Sequence, residues 1–473
     1  MAELAALLGL PDRPAGAVTG VTHASGEVRP GDLYAALPGA RHHGAEFVPA
    51  AVAAGAVAVL TDRPLDIEVP TLVVPDPRAR LGEVAARVYG DPTARLSVIG
   101  ITGTAGKTTT AYLLASGLRA AGREPALLGT VETRVGELVL DSVRTTPEAP
   151  DLQALFAVAL ERGVDSVAME VSSHALALHR VDGVRFEVGG WTNFGLDHLD
   201  FHADADDYFA AKAKLFDGRC RVEIINADDP ALKALIGPDT VTYSVGDPAA
   251  TWHASELTGG FEQQFVANGP TGPVPAGVRL PGRHNVANAL LAIASLVAIG
   301  VDPATAAAGV AACPGVPGRL ERVPGETVLG VVDYAHKPDA IVAVLAALRP
   351  VAAERGGKLI CVVGAGGDRD AGKRPLMGQA AARGADLVIV TDDNPRTEDP
   401  AAIRAQVLAA AGPDAVEVPD RAAAIAHAVQ VAAPGDVIAV LGKGHERGQE
   451  IAGTVHPFDD RIVLADALRE AGR

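Results

Sequence analysis

Cysteine is almost missing from this chain: Cys220, Cys313 and Cys361 are its three, far apart and without a CxxC spacing. That excludes a disulfide framework and a cysteine zinc site, and points to a reducing compartment. No apolar run reaches the roughly 18–20 residues of a membrane-spanning helix, so membrane insertion is not expected. The start, "MAELAALLGLPDRPAG", carries Glu3 and Asp12 but no basic cluster, unlike a secretory signal. A cytoplasmic location follows. The net charge of −17 argues against a surface that wraps nucleic acid. Lysine is scarce too, eight residues against 33 arginines. Where a lysine persists in such a chain, an arginine would not have served. Lys107 and Lys212 sit in motifs, while Lys233 and Lys358 read as surface residues.

What is present is α/β in pattern: short valine- and isoleucine-rich runs alternate with alanine-rich helical stretches. A chain of 473 residues is too long for one ordinary domain. Three blocks suggest themselves: 1–92, a small α/β domain; 93–316, opening with the strand "LSVIGI"; and 317–473, starting within the Pro/Gly-rich "CPGVPGRLE". The last block has three comparable units, "TVLGVVDYAH", "KLICVVGAGGDRD" and "ADLVIVTDDNPR", each an apolar run followed by a polar loop. Stacked as a parallel sheet, their loops share the carboxyl edge, where open α/β sheets bind ligands.

"GITGTAGKTTT" (100–110) stands between a strand and a helical stretch, the context of a phosphate loop. Gly103 and Gly106 let backbone amides curl around phosphate oxygens. Lys107 would reach the outer phosphates, and the Thr108 hydroxyl would hold Mg²⁺. The strict pattern departs at its first glycine, where Ile101 stands. By itself the loop implies a nucleotide phosphate, common to kinases, motors, transporters and ligases.

"VDSVAMEVSSHAL" reads as a buried strand ending in Glu170, a usual source of a second magnesium contact beside a phosphate loop. "WTNFGLDHLDFH" gathers Asp197, His198, Asp200 and His202, an oxygen-rich set without cysteine that suits magnesium better than zinc. In "YFAAKAKLF", Tyr208, Ala211 and Leu215 form an apolar stripe, and the pattern alone makes Lys212 a helix-surface lysine.

The ordered series "TGTAGKTTT", "MEVSSHAL", "TNFGLDHLDFH", "YFAAKAKLF", "GRHNVANALLA", "GRLE", "DYAHKPDA", "GGDRDAGKRPLM", "DDNPRTE" and "GKGHE" resembles the Mur ligase family of peptidoglycan synthesis over nearly the whole chain from residue 96. The resemblance implies three domains: a uridine-nucleotide-binding domain, a P-loop ATPase and a Rossmann-like C-terminal domain. It implies that ATP phosphorylates a substrate carboxylate and that an amine displaces phosphate from the acyl phosphate. ATP would lie on Gly103, Thr104, Ala105, Gly106, Lys107, Thr108 and Thr109, with Asn285, Arg319 and Asp333 approaching it. Lys107, Glu170, His198 and Lys212 would be catalytic. In the family the lysine matching Lys212 is carbamylated, an N6-carboxylysine, and with Glu170, His198 and Thr108 would hold Mg²⁺. An amine can be carbamylated and a guanidinium cannot, which inverts the surface reading of Lys212.

By the same resemblance Ser25, Thr145, Thr146, Ser172 and Arg180 contact the substrate UDP-N-acetylmuramoyl-L-alanyl-D-glutamate. The family's frequent D-S-R reads Ala24-Ser25-Gly26 here, and Leu178 replaces a glutamine of some relatives. In the family D-N-P-R marks members that use meso-diaminopimelate, whereas relatives using lysine carry other residues. Arg369, Asp393, Asn394, Pro395, Arg396, Gly442 and Glu446 would form that pocket, with Asp393 or Asn394 facing an ammonium. A guanidinium buried for a carboxylate penalises a ligand that lacks one. The bland alternative pairs Arg396 with Asp392 or Glu398 as a loop bridge. Three rivals stay open: L-lysine as the added amino acid, a folylpolyglutamate synthetase-like ligase, and a P-loop regulatory ATPase. A monomer acting on small molecules is expected.

Overall fold

The computed structural model describes residues 1–11 and 14–473; Asp12, noted above, lies outside the described residues. The chain forms two compact units, one of Met1–His253, Ala267–Val274 and Asn288–Val310, the other of Ala254–Val266, Pro275–Ala287 and Ala311–Arg473. Among the described residues no helix is long and apolar enough to cross a membrane.

The first unit begins with a four-stranded parallel sheet, Gly20–Thr22, Asp32–Ala35, Ala58–Thr61 and Thr71–Val73, whose strands neighbour one another in chain order. Leu33, Ala35, Leu60 and Leu72 pack with Leu81 and Val84 of the helix Pro77–Val88. That helix starts where it does because the Asp76 carboxylate accepts the Ala79 amide at 3.0 Å and Pro77 needs no donor at the first position.

A larger, eleven-stranded sheet follows, with Ser97–Thr102 between Ser166–Glu170 and Phe186–Trp191, parallel to both. Ile101 stands opposite Glu170 and Thr102 opposite Trp191, so three strands end together. Val98, Ile99 and Ile101 are fully buried, the two-faced burial of a central parallel strand. A hairpin of Thr133–Val135 and Leu138–Leu140 forms one antiparallel edge.

The second unit contains a six-stranded sheet in the order Glu321–Pro324, Leu329–Asp333, Val437–Leu441, Leu359–Val363, Leu387–Val390 and Val416–Glu417. All neighbours are parallel except the first pair. The three repeating units of the sequence do lie in this sheet, but Val437–Leu441 separates the first from the second. "VIAVL" is buried at all five positions and so belongs in the middle, a placement its distance along the chain does not reveal. The parallel pairing sends the loops after Asp333, Val363, Val390 and Leu441 to one edge.

The Arg421 guanidinium, fully buried, clamps that edge. It donates twice to Asp460, both at 2.7 Å, and to the carbonyls of Leu441 at 3.0 Å and Asp392 at 3.3 Å. Asp460→Ala leaves this cation without its carboxylate, at an expected cost of about 3–5 kcal/mol. Urea denaturation measures it, and a loss below about 1 kcal/mol, the level of an exposed pair, would show that the bridge is not what holds the edge.

Candidate active site

The phosphate loop is built by close approach. Gly103 has φ of 137° and Gly106 of 88°; a side chain at the first would collide with Thr192, and at the second would press on Asn288. The loop is then tied to the end of the neighbouring strand: the Ala105 amide donates to Asn193 Oδ1 at 3.0 Å, and Thr192 Oγ1 donates to the Ala105 carbonyl at 2.6 Å. Lys107 Nζ donates to the carbonyls of Gly103 at 2.7 Å and Thr104 at 3.2 Å. Thr108 and Thr109 are buried in the first turn of the helix Lys107–Ala120.

Lys212 is 1% exposed, which overturns its reading as a surface lysine. It lies near the C-terminal end of the helix Ala205–Ala213 and donates to the Gly103 carbonyl at 3.0 Å, with its ammonium 4.6 Å from the Tyr208 ring centre. Tyr208 in turn shares a hydrogen bond with Thr104 at 3.2 Å and sits 6.1 Å from the His198 ring. Tyr208 thus gathers His198, Lys212 and the phosphate loop. His198 holds a left-handed φ of 52° in a tight turn and stacks edge-on with His174 at 4.7 Å. His202, gathered in the same motif, is buried between Ser173 Oγ at 3.0 Å and Asp207 at 3.1 Å.

Glu170 ends its strand 1% exposed. Among the described residues its hydrogen-bond donors are the Thr130 amide, at 2.7 Å, and the Thr130 hydroxyl, at 3.2 Å, both neutral. Thr145 meets Thr130 at 3.0 Å, and Thr146 Oγ1 donates to the Glu170 carbonyl at 2.9 Å while accepting the Ser172 amide at 3.1 Å. Arg180 reaches the Thr146 carbonyl at 3.3 Å and pairs with Glu148 at 2.8 Å; burial pulls its pKa below the usual guanidinium value. Arg78 and Arg144 flank the same Glu148 at 3.7 and 3.8 Å. Thr145, Thr146, Ser172, Arg180 and Glu170 are therefore one cluster. Ser25 stands half-buried at the start of a short 3-10 turn, and the neighbouring Gly26 faces open space.

In the second unit Asp333 is buried, its oxygens accepting the amides of Leu320 and Ala335, each at 2.7 Å. Burial raises its pKa. The Arg319 guanidinium lies 4.6 Å from the Tyr334 ring centre, and Asn285 donates to the Pro281 carbonyl at 2.8 Å. Asp393 and Asn394 are both buried at the sheet edge. Asn394 donates to Glu446 at 2.9 Å. Gly442, with φ of 120°, is the residue that admits the Asp393 carboxylate, whose place a side chain at 442 would take.

Arg396 has a left-handed φ of 54°, donates to the Gly367 carbonyl at 2.7 Å and pairs with Glu450 at 3.3 Å. Neither expected internal partner holds it: Asp392 is taken by Arg404, and Glu398 by the buried Arg374 at 2.7 Å. The internal bridge therefore exists, with Glu450 in place of either expected partner. Arg369 is exposed on the loop that follows Leu359–Val363.

Sequence reasoning passed over Thr130, Asn193, Asn288, Glu148 and Lys443. Thr130 and Glu148 carry no local signal, whereas Asn193, Asn288 and Lys443 lie inside quoted motifs whose other residues draw the reading. Lys443 is fully buried, and the scarcity of lysine singles it out as much as Lys107.

A phosphate loop at the head of a parallel sheet, with a buried carboxylate on the adjoining strand, defines a P-loop nucleotide-using enzyme. Comparison with known proteins matches residues 17–89 to the Mur ligase family catalytic domain, 101–296 to the Mur ligase middle domain and 318–444 to the Mur ligase glutamate ligase domain. A UDP-N-acetylmuramoyl-L-alanyl-D-glutamate--2,6-diaminopimelate ligase of Streptomyces avermitilis is 54% identical, the match covering 99% of this chain and 96% of that protein. A ligase of the same name from Corynebacterium efficiens is 47% identical over 92% of this chain and 87% of its own length. A solved structure of a ligase so named superposes with a TM-score of 0.74 at 33% identity, covering 98% of this chain and 97% of that one. The chain belongs to the Mur ligase family, ATP-dependent ligases that form amide bonds.

Replacing Thr130 by valine keeps the amide bond to Glu170 and removes the hydroxyl. ATP turnover is expected to fall at least about tenfold, as a lost hydrogen bond to a charged group of about 1.5–3 kcal/mol implies. Turnover equal to the parent's would show that Glu170 needs no hydroxyl partner.

Proposed function

We propose that this chain joins meso-diaminopimelate to the D-glutamate carboxylate of UDP-N-acetylmuramoyl-L-alanyl-D-glutamate, releasing ADP and phosphate. The observation that carries the choice of amino acid is Arg396, held out from a left-handed backbone beside the Asn394–Glu446 pair, in a chain 54% identical to a ligase named for diaminopimelate. Diaminopimelate exceeds lysine by one carboxylate, and a guanidinium is the group that distinguishes them. Arg396 and Arg369 would take carboxylate, and Asp393, with Glu446, the ammonium. Asn394 and Pro395 shape the loop between them, and Gly442 leaves room for Asp393.

In this reading the γ-phosphorus of ATP is attacked by the D-glutamate carboxylate. An O–P bond forms, the bond to ADP breaks, and the amine of diaminopimelate then displaces phosphate from the acyl carbon with loss of a proton. Two anions must meet in the first step, and the residues that offset their repulsion are Lys107 and the loop amides of residues 103–109. By the family resemblance Asn285, Arg319 and Asp333 would also bind ATP. Thr145, Thr146, Ser172, Arg180 and Ser25 hold the nucleotide-sugar peptide, Arg180 being suited to a carboxylate because it already binds that of Glu148.

The donor set fits a magnesium ion. Glu170 is a buried carboxylate met by neutral donors, costly unless a cation joins it, and magnesium needs few protein oxygens when substrate phosphates supply the rest. Among the described residues no cluster of three His, Cys, Asp or Glu forms a cage of its own. Thr108, Glu170, His198 and carbamylated Lys212 would hold the ion, which neutralises phosphate charge. Burial of the Lys212 amine beside the phosphate loop supports the carbamate role. The four-, eleven- and six-stranded sheets fall one each within 1–92, 93–316 and 317–473, which supports domains at those bounds. A monomeric, cytoplasmic enzyme completes the reading.

ADP release with the nucleotide dipeptide is expected with meso-diaminopimelate and not with L-lysine. Release with lysine alone would keep the ligase and remove the reading of Arg396; release with neither would sink the proposed reaction. Lys212→Ala is expected to lose activity and regain part of it when a short carboxylic acid is added. Full activity without the acid would refute the carbamate.

A further inference from the structure

Resting on that reading of the amino-acid pocket, a residue that no part of it uses stands directly beneath. Lys443 follows the strand Val437–Leu441 and is fully buried. Its ammonium donates to Asn394 Oδ1 at 2.8 Å and to Glu446 Oε2 at 3.2 Å. Asn394 Oδ1 also accepts the Glu450 amide at 2.9 Å, and Asn394 Nδ2 donates to Glu446 Oε2 at 2.9 Å.

These four bonds leave Asn394 one orientation. An ammonium can only donate and an ionised carboxylate can only accept, so the carboxamide oxygen must face Lys443 and its nitrogen must face Glu446. Asn394 therefore has its oxygen committed to two protein donors, and the expectation that it might face a substrate ammonium passes to the carboxylates. Glu446 is committed by half: among the described residues both of its protein donors go to Oε2. Oε1 is left for a ligand. One third of the Glu446 side chain is exposed, whereas Lys443 is wholly enclosed. The cation is inside and the ligand-facing anion is at the surface of the pocket.

A buried lysine is a costly way to fill space, since its desolvation is recovered only by well-made hydrogen bonds, and an apolar side chain would serve stability as well. Arginine, the prevalent cation of this chain, cannot deliver a single compact ammonium to two oxygens at once. We propose that Lys443 is a positioning residue for amino-acid recognition. By pinning Asn394 Oδ1 and Glu446 Oε2 it holds Glu446 Oε1 aimed at the ammonium of the incoming amino acid, and through Asn394 it couples that oxygen to the backbone of the loop that carries Arg396.

The test uses the full-length enzyme and steady-state ADP release. Lys443→Met is expected to raise the KM for meso-diaminopimelate at least tenfold, leaving kcat and the KM values for ATP and the nucleotide dipeptide within about twofold; general damage would lower kcat and raise all three KM values together. Glu446→Gln should raise the same KM, and the double variant should be no worse than the poorer single variant, because both act through one oxygen. An unchanged KM for diaminopimelate in Lys443→Met, a parallel rise for all three substrates, or multiplicative effects in the double variant would overturn the proposal. Should Lys443→Met alone not fold, the double variant, which buries no unpaired charge, decides: a KM matching Glu446→Gln supports the proposal and a further tenfold rise overturns it. A parent enzyme with no diaminopimelate-dependent turnover removes the parent reading and this inference with it; an active parent with an unaffected Lys443→Met removes the inference alone.

Discussion

The register of Ser97–Thr102 against Ser166–Glu170 is the constraint on which the chemistry of the first unit depends. Ile101 faces Glu170 across the pair, so the carboxylate arrives beside the start of the phosphate loop. Because side chains alternate along a strand, a slip of one residue would turn Glu170 to the opposite face of the sheet. The slip is resisted by the apolar residues on both faces, Val98, Ile99, Val167 and Met169 among them, which are all fully buried. The placement of Glu170 is thus maintained by hydrophobic packing several residues away, and the polar cluster of Thr130, Thr145, Thr146 and Ser172 is assembled around an acid whose place is already determined.

The second unit solves a different problem, that of many charges at one sheet edge. Arg404 takes Asp392, Arg374 takes Glu398, and Arg421 takes Asp460. With the neighbouring acids engaged, Arg396 is left to Glu450, a residue 38% exposed. That pair is the wettest of the four, and losing an exposed pair costs about 0–1 kcal/mol, against about 3–5 kcal/mol for removing one partner of a buried one. The other three guanidiniums are buried, and Arg396, the most exposed of the four, carries the bond that is easiest to exchange.

Much of this was legible in the sequence where the chemistry is local. The strand, glycines, lysine and helix of the phosphate loop fall within a dozen residues, and the alternation of apolar runs with helical stretches marked the α/β class. What escaped depends on contacts distant in the chain. Lys212 has the spacing of a surface lysine on its own helix; the Gly103 carbonyl that buries it lies 109 residues away. Arg396 had two acids close by in sequence, yet it pairs with one 54 positions on, because stronger claims on the nearer acids come from other helices. Strand order in the second unit was hidden for the same reason: "VIAVL" is as apolar as its neighbours, and composition does not say which of them it lies between.

Gly442 has a consequence for how such a pocket can change. With φ of 120° and the Asp393 carboxylate occupying the space of its missing side chain, this position tolerates no substitution that leaves Asp393 in place. The adjoining Lys443 is enclosed, and a side chain at Gly444 would press on Tyr334. This wall of the pocket is therefore closed to stepwise drift. If the pocket is the proposed amino-acid site, new preferences would have to arise from the facing side, through residues 393–396 and the strand Gly448–Ile451 that hydrogen-bonds to them. Those two segments touch through backbone groups, so they would diversify as a linked pair, one rigid wall serving as the template against which the other is varied.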